Sequence, residues 1–198
     1  MTSILPPGLE GNLVEHVQGG VGDWLPFDQK RFYTNAFIIQ DDKILLGFKK
    51  RGFGINKYNG FGGKVEPGET LTEAAMRELK EEAGIDAPLE HAGSLLFMAK
   101  GVEWAFQIEI FSARTYSGTP TESDEMRPEW FSIASPTASD ADAIVPPIPY
   151  KTMWDGDDRW LPLIVQGRKF VGRVDSVMQD DGEFVMARHW FGTVISDN

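Results

Sequence analysis

Glu78, Glu81 and Glu82 are the residues whose type and spacing could do chemistry, and they fall within "GGKVEPGETLTEAAMRELKEEAGI", residues 62–85. At about 3.6 residues per turn, Leu71, Ala74, Ala75, Glu78, Glu81 and Glu82 share one helical face. The first half of that face is apolar and the second half anionic. Glu73, Arg77 and Lys80 occupy the other side as an ordinary solvated mixture. A Glu-rich helical segment is usually an exposed charged face, but here the carboxylates continue the apolar stripe. Like charges at i, i+4 repel, and carboxylates near a helix C-terminus oppose its dipole. A cation is needed to offset that cost. Oxygens converging from one face suit a hard divalent ion, above all Mg²⁺, bound through carboxylates and substrate phosphates.

Positioning these groups requires defined elements. Thr70 and Glu73 form a capping-box pattern, and Gly84 suits the position just past the C-terminus. A glycine-rich loop from Gly52 to Gly63 leads into this helix. Before it, "RFYTNAFII" and "KILLGFK" read as a β-hairpin turning at Asp41-Asp42. After it, "GSLLFMA" (93–99), "WAFQIEIF" (104–111) and "PEWFSI" (128–133) read as strands. Phe106, Ile108 and Ile110 alternate with Gln107 and Glu109, the period of a half-buried strand. Residues 135–149 read as a loop. Trp160, Leu161, Ile164 and Val165 predict a second helix, with Pro162 expected in its first turn. Strands are expected near 169–178 and 183–191. Residues 1–30, with five Gly and three Pro, read as an extension that is irregular or laid over the surface, followed by one domain over 31–198. The fold class expected is α/β, a mixed sheet covered by helices.

Gly63, Glu69, Arg77, Glu78, Leu79, Glu81, Glu82, Gly84 and Ile85 match, position for position, the pattern G-x5-E-x7-R-E-U-x-E-E-x-G-U. Through that pattern the chain resembles the Nudix hydrolases. The resemblance implies an α/β/α sandwich and Mg²⁺-dependent hydrolysis of nucleoside diphosphates linked to another group, with Mn²⁺ able to substitute. It implies metal ligation by Glu78, Glu81, Glu82 and the Gly62 carbonyl, with Glu69 and Arg77 as an orienting pair. Glu82 is expected to position or deprotonate the attacking water, with Glu81 and Glu125 as alternatives.

Three further stretches, "KKRGFG…NGFGGK" (49–64), "GTPTESDEMRPEWF" (118–131) and "MWDGDDRWLPL" (153–163), resemble one branch of that family. Its members are MutT homologues that clear oxidised purine nucleoside triphosphates, 8-oxo-dGTP and 2-oxo-dATP, as diphosphatases. By that resemblance Thr34, Phe53, Asn59, Phe97, Trp154, Asp157 and Asp158 surround the base. Lys49 lies near the base or the phosphates, and Glu125 joins the metal site. Aromatic faces stack on purines, although core packing is their commoner fate. Asn59 offers a donor and an acceptor, or is simply a turn residue before Gly60. Asp157 and Asp158, if side by side in an apolar pocket, are expected to share a raised pKa and one proton; otherwise they begin a helix. Asp155-Gly156 stands where the branch has a single Pro, and Tyr58 where it has Trp.

Bulk properties agree with a small-molecule enzyme. The chain has 198 residues, 41% hydrophobic and 25% charged, enough for one domain with a sizeable core. There is no Cys, so thiolate metal sites and disulfides are excluded. His16, His91 and His189 are scattered and form no metal-binding pattern. A net charge of −11 argues against a nucleic-acid polymer as partner. Lys49, Lys50 and Arg51 invert the sign locally, Lys50 and Arg51 reading best as a basic turn. The first basic residue is Lys30, so no targeting segment is expected and a cytoplasmic home follows, the nucleus also being open. A monomer acting on nucleoside triphosphates, without a membrane partner, is expected. Rival readings are a dinucleoside polyphosphate hydrolase and a catalytically silent nucleotide sensor.

Overall fold

Asp41 takes a left-handed conformation (φ 54°) and reverses the chain between strands β2 (Gln29–Gln40) and β3 (Lys43–Lys49). The hairpin places Ile38 opposite Leu45 and Gln40 opposite Lys43. Short-sided turn residues tolerate such φ values. The protein is described here from a computed structural model covering residues 5–134, 145–180 and 182–195. The other elements are β1 (Leu13–Gly20), β4 (Tyr58–Asn59), α1 (Leu71–Ala83), β5 (Glu90–Ala99), β6 (Trp104–Ala113), β7 (Met126–Ser132), a 3₁₀ turn (Tyr150–Thr152), α2 (Asp157–Val165), β8 (Phe170–Met178) and β9 (Phe184–Val194). No described helix is long and apolar enough to cross a membrane.

The chain divides into two compact units. One comprises residues 34–91 and 111–154, the other 1–33, 92–110 and 155–198. In the first, β3 pairs antiparallel with β2, β4 and β7. Its core joins Ile38 and Leu45 of the hairpin to Leu79 and Ala83 of α1, with Phe61 and Met126 between. Helix α1 is set by its ends: Thr70 and Glu73 form the capping box, and Gly84 closes the helix at φ 73°.

In the second unit, β8 pairs parallel with β5 and antiparallel with β9, which also pairs antiparallel with β1, giving a mixed sheet. Within residues 5–30 the strand β1 is regular, and the segments on either side of it lie against the core. Leu9, Leu25 and Phe27 pack on Leu96, Met98 and Ala105. Arg173, wholly buried, bonds Asp175 at 2.8 Å and donates to the carbonyls of Pro7 and Leu25, each at 2.6 Å. A buried guanidinium needs every donor answered, and the N-terminal backbone supplies two of the acceptors.

Two local expectations change. Gln107 is buried, while Phe106 and Ile108 are only partly so. Over 105–108 the alternation is present with the opposite phase, Ala105 and Gln107 lying on the buried side. Pro162 is the sixth of nine residues in α2, not in its first turn. The carbonyl it deprives of a helical partner belongs to Asp158, which is exposed, so water can replace that bond. Of the loop expected at 135–149, residues 135–144 lie outside the described residues.

Candidate active site

Gly62 and Gly63 lead into α1; backbone packing demands glycine at Gly62, while a side chain at Gly63 would displace the Glu78 carboxylate. A Cβ on Gly62 would lie 1.9 Å from the Thr34 carbonyl oxygen, and one on Gly63 would lie 2.4 Å from Glu78 Oε1. The Thr34 N–H donates to the Gly63 carbonyl at 2.9 Å. The loop is thus held between β2 and the carboxylates of the helix.

Glu82 is buried where loop and helix meet. Its Oε2 accepts the Gly62 N–H at 2.8 Å, and its Oε1 lies 3.3 Å from Lys49 Nζ. Burial pushes its carboxyl up to about 7; Lys49 and the Gly62 N–H pull the other way. Lys49 also bonds Glu125, whose other oxygen meets Arg51 at 3.1 Å. The Lys49 bond holds the Glu125 carboxyl below its usual range.

Arg77 organises the remaining carboxylates and is not part of a solvated face. Its Nε and Nη2 meet the two oxygens of Glu69 at 2.7 and 3.1 Å, and its Nη1 reaches Glu78 Oε1 at 2.9 Å. Nη1 is 3.4 Å from Glu81, whose side chain is 59% exposed. The fork to Glu69 raises the Arg77 pKa and lowers that of Glu69. Burial raises the Glu78 carboxyl, with Glu81 and Glu125 adding to the rise. Two protein cations, Lys49 and Arg77, therefore offset the repulsion anticipated along the helix.

The donor set suits a hard divalent cation: it consists of oxygens alone, and two of its carboxyls are raised by burial, which favours a counter-charge. Among the described residues no three His, Cys, Asp or Glu side chains already stand as a metal centre. Lys49 bridges Glu82 and Glu125 instead, so ligation by both requires exchange of a protein cation for the metal.

The residues assigned to the base fall in both units. Thr34, Asn59, Phe53 and Trp154 lie in the unit that carries the carboxylates. Phe53, 64% exposed, stacks on Trp154 at 5.0 Å and 29°, and Lys57 lies 5.4 Å over the same indole. Thr34 Oγ1 is buried without a hydrogen-bond partner among the described residues. Phe97, Asp157 and Asp158 lie in the other unit. There Phe97 meets Phe106 and Phe184 edge-on. The two aspartates do not form the buried pair foreseen. Asp157 is 5% exposed and accepts the Trp160 indole N–H at 3.1 Å, whereas the Asp158 side chain is 48% exposed and lies 3.5 Å from Arg159. Both sit at the start of α2, where successive residues point about 100° apart. Lys50 and Arg51 pair with Glu122 and Glu125, in keeping with a basic turn.

The sequence reading passed over Asn35 and Lys57. The signal for Asn35 was available: an amide inside the apolar run "TNAFII". Lys57 carried none, since its place over Trp154 depends on the fold of the 50–57 loop.

Comparisons with known proteins point the same way. The NUDIX domain model matches residues 30–164. An oxidized purine nucleoside triphosphate hydrolase from Mus musculus is 42% identical over 151 residues, covering 76% of this chain and 89% of that protein. Its Danio rerio counterpart is 43% identical, covering 72% and 84%. The crystal structure of the MutT protein from Bacillus halodurans superimposes with a TM-score of 0.56 at 25% identity, over 78% of this chain and 94% of that one. A nine-position motif without departure, carried on a loop and helix built as described and matched over most of the chain, leaves one conclusion: the chain belongs to the Nudix family.

Proposed function

We propose that this protein hydrolyses oxidised purine nucleoside triphosphates, 8-oxo-dGTP and 2-oxo-dATP, to monophosphate and pyrophosphate with Mg²⁺, and so clears them from the nucleotide pool. The observation that carries this reading is Glu82, buried at the junction of loop and helix and held by Gly62 N–H and Lys49. The relatives at 42 and 43% identity, named as oxidized purine nucleoside triphosphate hydrolases, support the substrate class.

Glu78, Glu81, Glu82, Glu125 and the Gly62 carbonyl would hold the divalent cation, which neutralises phosphate charge and lowers the pKa of a bound water. Glu82 orients the attacking water and takes its proton, with Glu81 and Glu125 as the alternatives for that role. The water oxygen bonds to phosphorus as the bridging bond between the α and β phosphates breaks, and pyrophosphate leaves. Arg77 fixes Glu78 and Glu69 so that the ligands keep their positions. Lys49, once released from Glu82 and Glu125, is placed to meet phosphate. Phe53 and Trp154 offer stacking faces, and Asn59 and Thr34 offer polar atoms to the base, with Asp157, Asp158 and Phe97 assigned to the base by resemblance alone. The same reading has a cytoplasmic monomer acting on free nucleotides, in line with a net charge of −11.

The test is a substrate panel with product analysis. With Mg²⁺, 8-oxo-dGTP and 2-oxo-dATP should turn over with higher kcat/KM than dGTP and dATP, releasing monophosphate and pyrophosphate. A preference for a dinucleoside polyphosphate, or orthophosphate as first product, would overturn the reading. No turnover with any divalent metal would leave a nucleotide sensor.

A further inference from the structure

Asn59 Oδ1 receives two hydrogen bonds, from the Gly60 N–H at 2.9 Å and from Asn35 Nδ2 at 2.8 Å. A backbone N–H can only donate, so the Asn59 atom beside it must be oxygen, not nitrogen. The Asn35 atom facing that oxygen must then be its NH₂. One backbone N–H thus settles the orientation of both side-chain amides, which geometry alone leaves ambiguous.

The arrangement has a cost. Asn35 is 7% exposed, and its Oδ1, turned away from Asn59, has no hydrogen-bond partner among the described residues. That oxygen lies against Gly60, where a Cβ would approach it to 2.3 Å. A buried acceptor without a donor is unfavourable. The neighbours on β2, Ala36, Phe37, Ile38 and Ile39, are all buried and apolar, so an aliphatic residue would suit position 35 on stability grounds. What the amide supplies in return is its bond to Asn59.

We propose that Asn35 is a specificity-determining positioning residue, which holds Asn59 so that it offers a base only its NH₂ hydrogens. This rests on the reading of Asn59 as a base-contacting residue. With Oδ1 occupied twice, Asn59 selects base edges that present an acceptor, a carbonyl oxygen or an unprotonated ring nitrogen, and disfavours edges that present a donor. Without Asn35 one of the two restraints is gone. The Gly60 N–H still fixes the Asn59 oxygen, but its second lone pair is then free to accept from a base, and discrimination between base edges falls.

The test compares wild type with Asn35→Leu and Asn35→Ala, using 8-oxo-dGTP, 2-oxo-dATP, dGTP and dATP with Mg²⁺. The expected result is a ratio of kcat/KM among the four substrates changed about tenfold, carried by KM with kcat changed much less. Thermal stability of Asn35→Leu should equal or exceed that of wild type. In ¹⁵N spectra, the Asn59 side-chain NH₂ signal should shift on addition of the oxidised monophosphate in wild type, and shift less in both variants. An unchanged substrate ratio with an unchanged NH₂ response overturns the proposal, as does an equal loss on all four substrates. If Asn35→Leu does not fold, Asn35→Ala decides, since it leaves space instead of bulk. Failure of the functional reading looks different, because wild type itself would then show no preference for oxidised purines.

Discussion

The Gly62 N–H donates to Glu82 Oε2 at 2.8 Å, tying the glycine loop to the most deeply set carboxylate of α1. The contact explains why a charged side chain occupies a core-facing position: its oxygens are answered by a backbone donor and by Lys49. It also means that changes at Glu82 will be felt in both stability and turnover.

Glu82→Gln keeps the shape and removes the charge. Turnover should fall by about 10²–10⁴-fold or more. The metal-free fold should gain, for the following reason. The Glu82 carboxyl is raised from 4.5 to about 7 by burial, so between these values the folded protein holds a proton that the unfolded chain has released. Stability is full below about pH 4.5, falls as pH rises to about 7 and then levels, by about 3 kcal/mol for such a shift. Glu78 is shifted in the same sense, while Glu69 and Glu125 are lowered and act below that window. Chemical denaturation in EDTA across pH should show this slope, much reduced in Glu82→Gln. Added Mg²⁺ should stabilise wild type most at the upper end. A metal-free wild type that gains stability from pH 5 to 7 would contradict the burial argument.

Arg77→Lys removes the fork while keeping the charge. Lys cannot engage both Glu69 oxygens and Glu78 at once. The metal concentration for half-maximal activity should rise about 10-fold or more, and Mn²⁺ binding followed by electron paramagnetic resonance should weaken in parallel. Stability should change by no more than about 1 kcal/mol, because the pair is partly exposed. Identical metal titrations in both proteins would remove Arg77 from the role of orienting the ligands.

The unequal surroundings of the two aspartates make unequal predictions. Asp157→Asn should lower kcat/KM on oxidised purines and change the ratio between oxidised guanine and adenine substrates, since Asp157 is buried. Asp158→Asn, exposed and beside Arg159, should do little. Trp154→Ala should weaken all purine substrates together by roughly 1–3 kcal/mol, because stacking carries little information about base edges. The measurement is kcat/KM for each substrate in the three variants. Equal, large effects from Asp157 and Asp158 would restore the shared-proton pair. No effect from either would leave them as a helix start.

Local chemistry was legible along the chain wherever it depended on residues close in sequence. The capping box of Thr70 and Glu73, the stop at Gly84, the turn at Asp41 and the one-face spacing of Glu78, Glu81 and Glu82 all follow from one helical turn or one tight turn. Burial and pairing across distance were not. Lys49 meets Glu82 and Glu125 across 33 and 76 residues, and Arg173 meets Pro7 across 166. No local pattern encodes such partners. Gln107 and Pro162 departed from their expected settings because which side of β6 is buried, and the packing that sustains α2 against its own proline, depend on elements distant in sequence. Asn35 shows the division most plainly. Its sequence position marks it only as a polar residue in an apolar strand; the Gly60 N–H, next along the chain, fixes the Asn59 oxygen, and the bridge between Ala36 and Phe61 brings Asn35 to it. Sequence by itself determined the family, because its motif lies on one loop and one helix. Tertiary structure decided which carboxylates are buried and which cations answer them, because burial and charge pairing depend on every element packed around the site.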